Sequence, residues 1–110
     1  MNNAGVLPEA TAEDEPEVVS LRLFMETFRT NVFGAVSVVE AFLPLLRRAP
    51  AARIVNVSST MGSLADQGNR SSPYFDVVVP AYQSSKAALN GLTVALSKLL
   101  ADTPITVNAV

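Results

Sequence analysis

The chain has 110 residues, 49% hydrophobic and 16% charged, and its eight Lys/Arg against ten Asp/Glu leave a net charge of −2. It is too apolar and too weakly charged for a disordered chain, and it lacks the basic excess expected of a nucleic-acid binder. It contains neither Cys nor His. This excludes a disulfide framework, thiolate and imidazole metal sites, and Ser-His or Cys-His nucleophiles; the chemistry must come from Tyr, Lys, Ser, Thr, Asn or carboxylates.

The N-terminus, MNNAGVLPEA, has no charged region followed by an apolar run and does not read as a secretory signal. Residues 8–17 (PEATAEDEPE) are acidic and flanked by Pro. They read as a loop leading into a helix, whose N-terminus suits carboxylates. From about Val18 the pattern is helical, with Leu21, Phe24, Met25 and Phe28 spaced to line one face and Arg22, Glu26 and Arg29 off it. The helix continues to about Arg48, with Gly34 and Pro44 the expected places for bends or breaks. Residues 32–46 are apolar nearly all round, so this helix is expected to be covered on two sides, by a sheet and by something else. That run is shorter than the roughly 18 residues a membrane span needs and contains Glu40 and Pro44, so no span is expected.

Residues 49–52 read as a turn. Arg53 to Ser59 (RIVNVSS) is a short β-branched run bounded by turn signals, which predicts a buried parallel strand. Ser59 to Pro80 is rich in Ser, Gly, Asp, Asn and Pro and reads as a long loop, a kind that is usually functional in a compact domain. Ala81 to Ala101 predicts a second helix, and Ile105 to Val110 a final strand. Helices between strands imply right-handed crossovers and a parallel α/β sheet. Two strands are too few to bury helices on both faces, so the chain is expected to be part of a larger sheet.

Tyr82 and Lys86 stand four residues apart near the start of the second helix, which places both side chains on one face. A free Tyr hydroxyl, with a pKa of about 10, is a poor acid or base at neutral pH, but a nearby ammonium favours the phenolate. The pair is thus a candidate acid/base built without His, although the spacing alone more often marks an exposed Lys one turn after a half-buried Tyr. Ser59 ends the first strand, where ligands bind in open α/β sheets; it could donate to a substrate oxygen or simply cap the turn. Asn31 is unfavourable inside a helix and reads either as a local polar satisfier or as a group turned inward to hold a water. Asn2-Asn3-Ala4-Gly5 is a turn by composition, with residues small enough for close approach of a ligand.

Taken together, Asn2-Asn3-Ala4-Gly5, Asn31-Val32-Phe33-Gly34, Ile54 to Ser59, Tyr82 to Ala88 and Ile105 to Asn108 form an ordered string that closely resembles the central portion of the short-chain dehydrogenase/reductase family. The resemblance covers the chain except the variable loops at 6–17 and 62–79. It implies a partial doubly wound, Rossmann-like parallel sheet. The chain, residues 1–110, is then a fragment of one NAD(P)-binding domain whose N-terminal half and C-terminal segment are missing. It also implies an oxidoreductase that interconverts a carbonyl and a secondary alcohol by hydride transfer from NADH or NADPH.

By resemblance, Tyr82 is the acid/base, Lys86 binds the nicotinamide ribose and supports the phenolate, and Ser59 orients the substrate carbonyl. Asn31 helps hold a proton-relay water near Lys86. Asn3, Ala4 and Gly5 pack along the adenosine side of the cofactor, which Tyr82 and Lys86 also contact. The glycine-rich phosphate turn of the family has no counterpart in this sequence, and nothing in it chooses between NAD and NADP. The stretch between Ser59 and Tyr82 is longer than usual for the family, with Asp66 to Tyr74 as the insertion, which either shapes the substrate pocket or, by default, forms a surface loop. A contrasting expectation is an inactive fragment or association module that binds no cofactor. The expected partners are a small carbonyl or alcohol substrate and a second copy packed through the two long helices, with no nucleic acid, membrane or metal. The absence of Cys is compatible with a cytoplasmic location, the one expected here.

Overall fold

The computed structural model describes residues 1–12 and 18–110; the second half of the stretch 8–17 expected as a helix leader, residues 13–17, lies outside them. The elements follow the expected order. A 3₁₀ turn at Pro8–Ala10 precedes α1 (Leu21–Phe28), a widened π-helical segment (Arg29–Gly34) and α2 (Ala35–Arg48). Then come β1 (Ala52–Asn56), a 3₁₀ turn (Thr60–Gly62), α3 (Leu64–Gln67), α4 (Pro80–Leu99) and β2 (Ile105–Ala109).

β1 and β2 pair in parallel, from Ala52 opposite Ile105 to Asn56 opposite Ala109. Asn2 pairs along the other edge of β1, where its N–H donates to Val55 O at 2.7 Å and its carbonyl accepts from Val57 N at 3.0 Å. β1 is therefore the central strand of the fold. Side chains alternate along both strands. Ile54, Ile105 and Val107 point inward to meet Val39 of α2 and Leu100 just past α4, while Arg53, Thr106 and Asn108 face away and are exposed. Among the described residues, the helices cover one face of this sheet, not both. The molecule is accordingly a thin slab of 49 × 30 × 17 Å with a radius of gyration of 15.6 Å, against about 13 Å for a compact chain of this length.

The long helix departs from its expected facing. Leu21 and Met25 are 75% and 60% exposed, and the buried stripe is instead Leu23, Thr27, Asn31, Ala35 and Val39. Among the described residues the second cover expected over residues 32–46 is likewise not present: Phe33, Val36, Phe42 and Leu45 are exposed. The irregularity falls at Arg29–Gly34, ending at the expected glycine, but α2 runs through Pro44 to Arg48. Counted as one helix, Leu21–Arg48 is 28 residues and long and apolar enough, by length and composition alone, to cross a membrane. Here it packs on β1 and runs alongside α4, which itself packs on β2. Ser20, not an acidic residue, caps its start by accepting from Leu23 N at 3.3 Å.

A buried polar chain ties the layers together. Asn2 Nδ2 donates to Asn56 Oδ1 (2.9 Å), Asn56 Nδ2 donates to Thr93 Oγ1 (3.0 Å), and Thr93 Oγ1 donates to Leu89 O (2.9 Å). Gly62 brings the loop after β1 onto α4. A Cβ at Gly62 would stand 2.8 Å from the Lys86 carbonyl carbon and 2.9 Å from its Cβ, whereas one at Gly91 would meet nothing within 4 Å. Gly62→Ala is expected to destabilise the fold by about 1–3 kcal/mol through forced backbone movement. Gly91→Ala is expected to stabilise it by up to about 1 kcal/mol through helix propensity. Urea denaturation of both variants checks the pair; equal and small effects would show that α4 does not sit this closely on the turn.

Candidate active site

Three segments meet at the C-terminal end of β1: the turn after Asn2, the π-helical segment of the long helix, and the first two turns of α4. Helical spacing turns Ala81, Ser85, Lys86, Leu89 and Thr93 of α4 inward, with Tyr82 half-buried beside them.

Lys86 is only 4% exposed. Its Nζ donates to Val57 O at 3.0 Å, on the strand extension. The same ammonium lies 5.6 Å from the centroid of the Tyr82 ring, within reach of a cation–π attraction. Burial pushes the Lys86 pKa below the usual lysine value, because desolvation disfavours the charged form. Gly5 passes close by: a Cβ there would stand 3.5 Å from Lys86 Nζ and 3.7 Å from Asn31 Oδ1.

Asn31, 1% exposed, joins the segments. Its Oδ1 accepts from Val6 N at 2.8 Å, and its Nδ2 donates to Val6 O at 3.0 Å and to Ser85 Oγ at 3.1 Å. Ser85 Oγ donates in turn to Tyr82 O at 2.8 Å. Its side chain is thus the satisfier of a backbone turn, and both polar atoms are engaged by protein groups. Its place in a π-helical segment matches the usual association of such bulges with functional sites.

Ser59 caps the Thr60–Gly62 turn by accepting from Met61 N at 3.1 Å. A hydroxyl that accepts in this way keeps its own O–H free to donate. Ser58 donates to Lys86 O at 3.5 Å. Asn3 and Ala4 are exposed and, with Asn31 and Gly34, border a groove of about 520 Å³. Gly5 belongs instead to the surroundings of Lys86. The 62–79 loop folds against α4 and borders an open pocket of about 340 Å³, lined by Thr60, Met61, Gln67, Tyr74 and Gln83 among others.

The structure therefore brings Tyr82, Lys86, Asn31 and Gly5 together, with Ser59 on the turn that packs against α4. Sequence reasoning missed Ser85, the link from Asn31 to Tyr82; its signal was a small polar residue on the inward face of a helix, three residues after the Tyr. It also missed Glu9, whose carboxylate reaches the amides of Ala81 and Tyr82 at 3.1 and 2.9 Å. No local pattern points from Glu9 to Ala81, 72 residues away, and local electrostatics suits the acidic leader to the start of α1.

A family model for short chain dehydrogenases matches residues 1–110. The short-chain dehydrogenase anuI of Penicillium roqueforti is 35% identical over 94 residues, which cover 82% of this chain and 36% of the relative. Mitochondrial D-beta-hydroxybutyrate dehydrogenase of Bos taurus is 40% identical over 74 residues, 67% of this chain and 20% of the relative. Among solved structures, the NADPH-bound carbonyl reductase from chicken fatty liver matches with a TM-score of 0.80 and 30% identity, over 98% of this chain and 42% of that one. The chain thus spans less than half the length of each of these relatives. The parallel α/β layout, the placement of the motifs along it and a family match from the first residue to the last lead to one conclusion: the chain belongs to the short-chain dehydrogenase family.

Proposed function

We propose that residues 1–110 form part of one nicotinamide-binding domain and carry the proton-transferring side of a carbonyl–alcohol oxidoreductase site. The observation that carries this reading is the buried Lys86 ammonium 5.6 Å from the Tyr82 ring. Sealing an ammonium away from water is unfavourable, and a site that stabilises negative charge next to it gives that burial a use.

In reduction, the Tyr82 hydroxyl donates its proton to the substrate carbonyl oxygen; in oxidation the phenolate takes the alcohol proton back. The Lys86 ammonium stabilises the negative charge left on the phenolic oxygen. Ser59, with its lone pair engaged by Met61 N, donates its O–H to the same substrate oxygen and orients it. Asn31 acts through Val6 and Ser85, holding the turn and α4 in register.

The residues present suit a nicotinamide dinucleotide. Small Asn3 and Ala4 open a groove beside Asn31, and Lys86, which uses one N–H on Val57, has others to offer a ribose hydroxyl. NADH or NADPH, when bound, supplies the hydride that goes to the carbonyl carbon. The relatives favour this: one solved neighbour is an NADPH-bound carbonyl reductase. The substrate, a small carbonyl or alcohol, would enter from the open pocket beside the 62–79 loop, next to Gln83.

A second reading is favoured by the exposed apolar face of α1 and α2, from Leu21 and Met25 to Phe42 and Leu45. A chain that binds no cofactor could act by pairing this face with a second copy. Titration of NADH and NADPH followed by fluorescence separates the two readings; micromolar binding supports the first, and its absence together with a defined dimer in sedimentation supports the second.

Tyr82→Phe is expected to lower carbonyl reduction by about 10²–10⁴-fold, the usual contribution of a general acid, with the unfolding midpoint unchanged. Near-normal turnover in this variant would overturn the assignment. Lys86 gives a pH prediction. Its folded-state pKa lies below the unfolded value of 10.5, so the unfolded chain holds the proton more tightly and the charged side chain subtracts from stability at neutral pH. That penalty fades as pH rises through the lowered value towards 10.5. The stability of the natural chain relative to Lys86→Met should therefore rise across this window in urea titrations; a flat difference would mean that Lys86 is not a buried ammonium.

A further inference from the structure

α4 lacks an acceptor of its own for its first amides. Val79 precedes it with an apolar side chain, and Pro80, the first residue, has no N–H to satisfy. Gln83 reaches back to hold Val79 N at 3.1 Å and Val77 O at 3.1 Å, which ties down the approach but not the helix itself. The amides of Ala81 and Tyr82 donate to the two carboxylate oxygens of Glu9, at 3.1 and 2.9 Å. A carboxylate here also meets the positive end of the helix dipole.

Glu9 is not a local cap. It sits in the 3₁₀ turn Pro8–Ala10, on the loop that leaves Gly5 beside Lys86 Nζ and is fixed at Val6 by Asn31. The loop from Gly5 to Glu9 thus touches α4 at two levels. Gly5 lies against the Lys86 ammonium, and Glu9 grips the backbone of Tyr82 one helical turn earlier. The two residues whose relative placement matters for proton transfer are spanned by one short piece of chain.

We propose that Glu9 is a positioning residue for Tyr82. By holding the Ala81 and Tyr82 amides from the loop that also borders Lys86, its carboxylate sets the height of the phenol over the ammonium. The functional meaning of this rests on the acid/base reading of Tyr82, but the geometric claim does not.

The test is therefore made on geometry, in the full chain, by NMR. Lys86 Nζ lies 5.6 Å from the Tyr82 ring centroid, so the protons beside it are expected to carry a ring-current shift. Glu9→Ala is expected to lose at least half of that shift and to speed amide exchange at Ala81 and Tyr82 by 10-fold or more, on the order of one lost cap. Glu9→Gln, which keeps an acceptor oxygen, is expected to restore most of the shift. Glu9→Asp, one methylene short, is expected not to, and decides the matter if the Ala variant does not fold. An unchanged ring-current shift in a folded Glu9→Ala or Glu9→Asp variant would overturn the proposal, whatever happens to stability, because a cap with a purely structural role would lower the unfolding midpoint without moving this signal. Turnover of Tyr82→Phe reads the acid/base assignment separately, so either claim can fail alone.

Discussion

The Asn31 carboxamide uses both of its polar atoms inside the protein, and the arrangement of the site follows from where they go. The oxygen accepts from Val6 N, and the nitrogen donates to Val6 O and Ser85 Oγ. One side chain thus closes a two-way bond onto the backbone of the loop and a third bond onto α4. A buried carboxamide without these partners would lose about 1–3 kcal/mol for each unsatisfied group, so the loop, the long helix and α4 must lie where all three bonds can form. Ser85 passes the constraint to the carbonyl of Tyr82. The candidate proton donor is in this way tied to the candidate cofactor-side turn through two intervening side chains.

Lys86 imposes the opposite kind of constraint. Its partner is a neutral carbonyl, Val57 O, which satisfies one N–H but does not cancel the charge. A buried charge held this way remains available to respond to negative charge arriving nearby, whereas a lysine locked to a carboxylate would be largely compensated in advance. The polar ring on one side and the strand carbonyl on the other hold the ammonium in place. Gly62 lets β1's following turn press against the backbone of Lys86 itself. Packing, not pairing, keeps this lysine inside.

The order of elements was legible in the sequence because it is a short-range property. Strand, turn and helix signals lie within a few residues of one another. The Tyr82–Lys86 spacing fixes a shared helix face without reference to the rest of the chain. Ser59's place at the strand tip followed from the end of the β-branched run, and its turn-capping bond is the ordinary behaviour of Ser at such a position. What was not legible depends on pairings across the chain. Glu9 caps a helix that begins 71 residues later at Pro80, and Asn56 is satisfied by Asn2 and Thr93 from opposite ends. Acidic residues before α1 looked like its own leader, since local electrostatics favours that choice and says nothing about a second helix brought alongside by the fold.

The facing of the long helix shows the same limit from another side. Over residues 32–46 its apolar residues surround the axis almost completely, so hydrophobic periodicity offers no unique inward direction there. The stripe that turns inward is Leu23, Thr27, Asn31, Ala35 and Val39, which contains the two polar residues and small Ala35. Thr27 satisfies its hydroxyl on Leu23 O at 2.6 Å, which lets it sit inside without an outside partner. Small and self-satisfied side chains allow close approach to α4, and the larger Leu21, Met25 and Phe33 are left outward. Residues four apart drift by about 40° per step on a regular α-helix. A stripe with that spacing stays on one face only if the helix unwinds, and the widened turn at Arg29–Gly34 falls at its centre. The bulge that displays Asn31 is thus also what keeps the buried stripe in line. Polar satisfaction, more than the search for apolar cover, decided which way this helix faces.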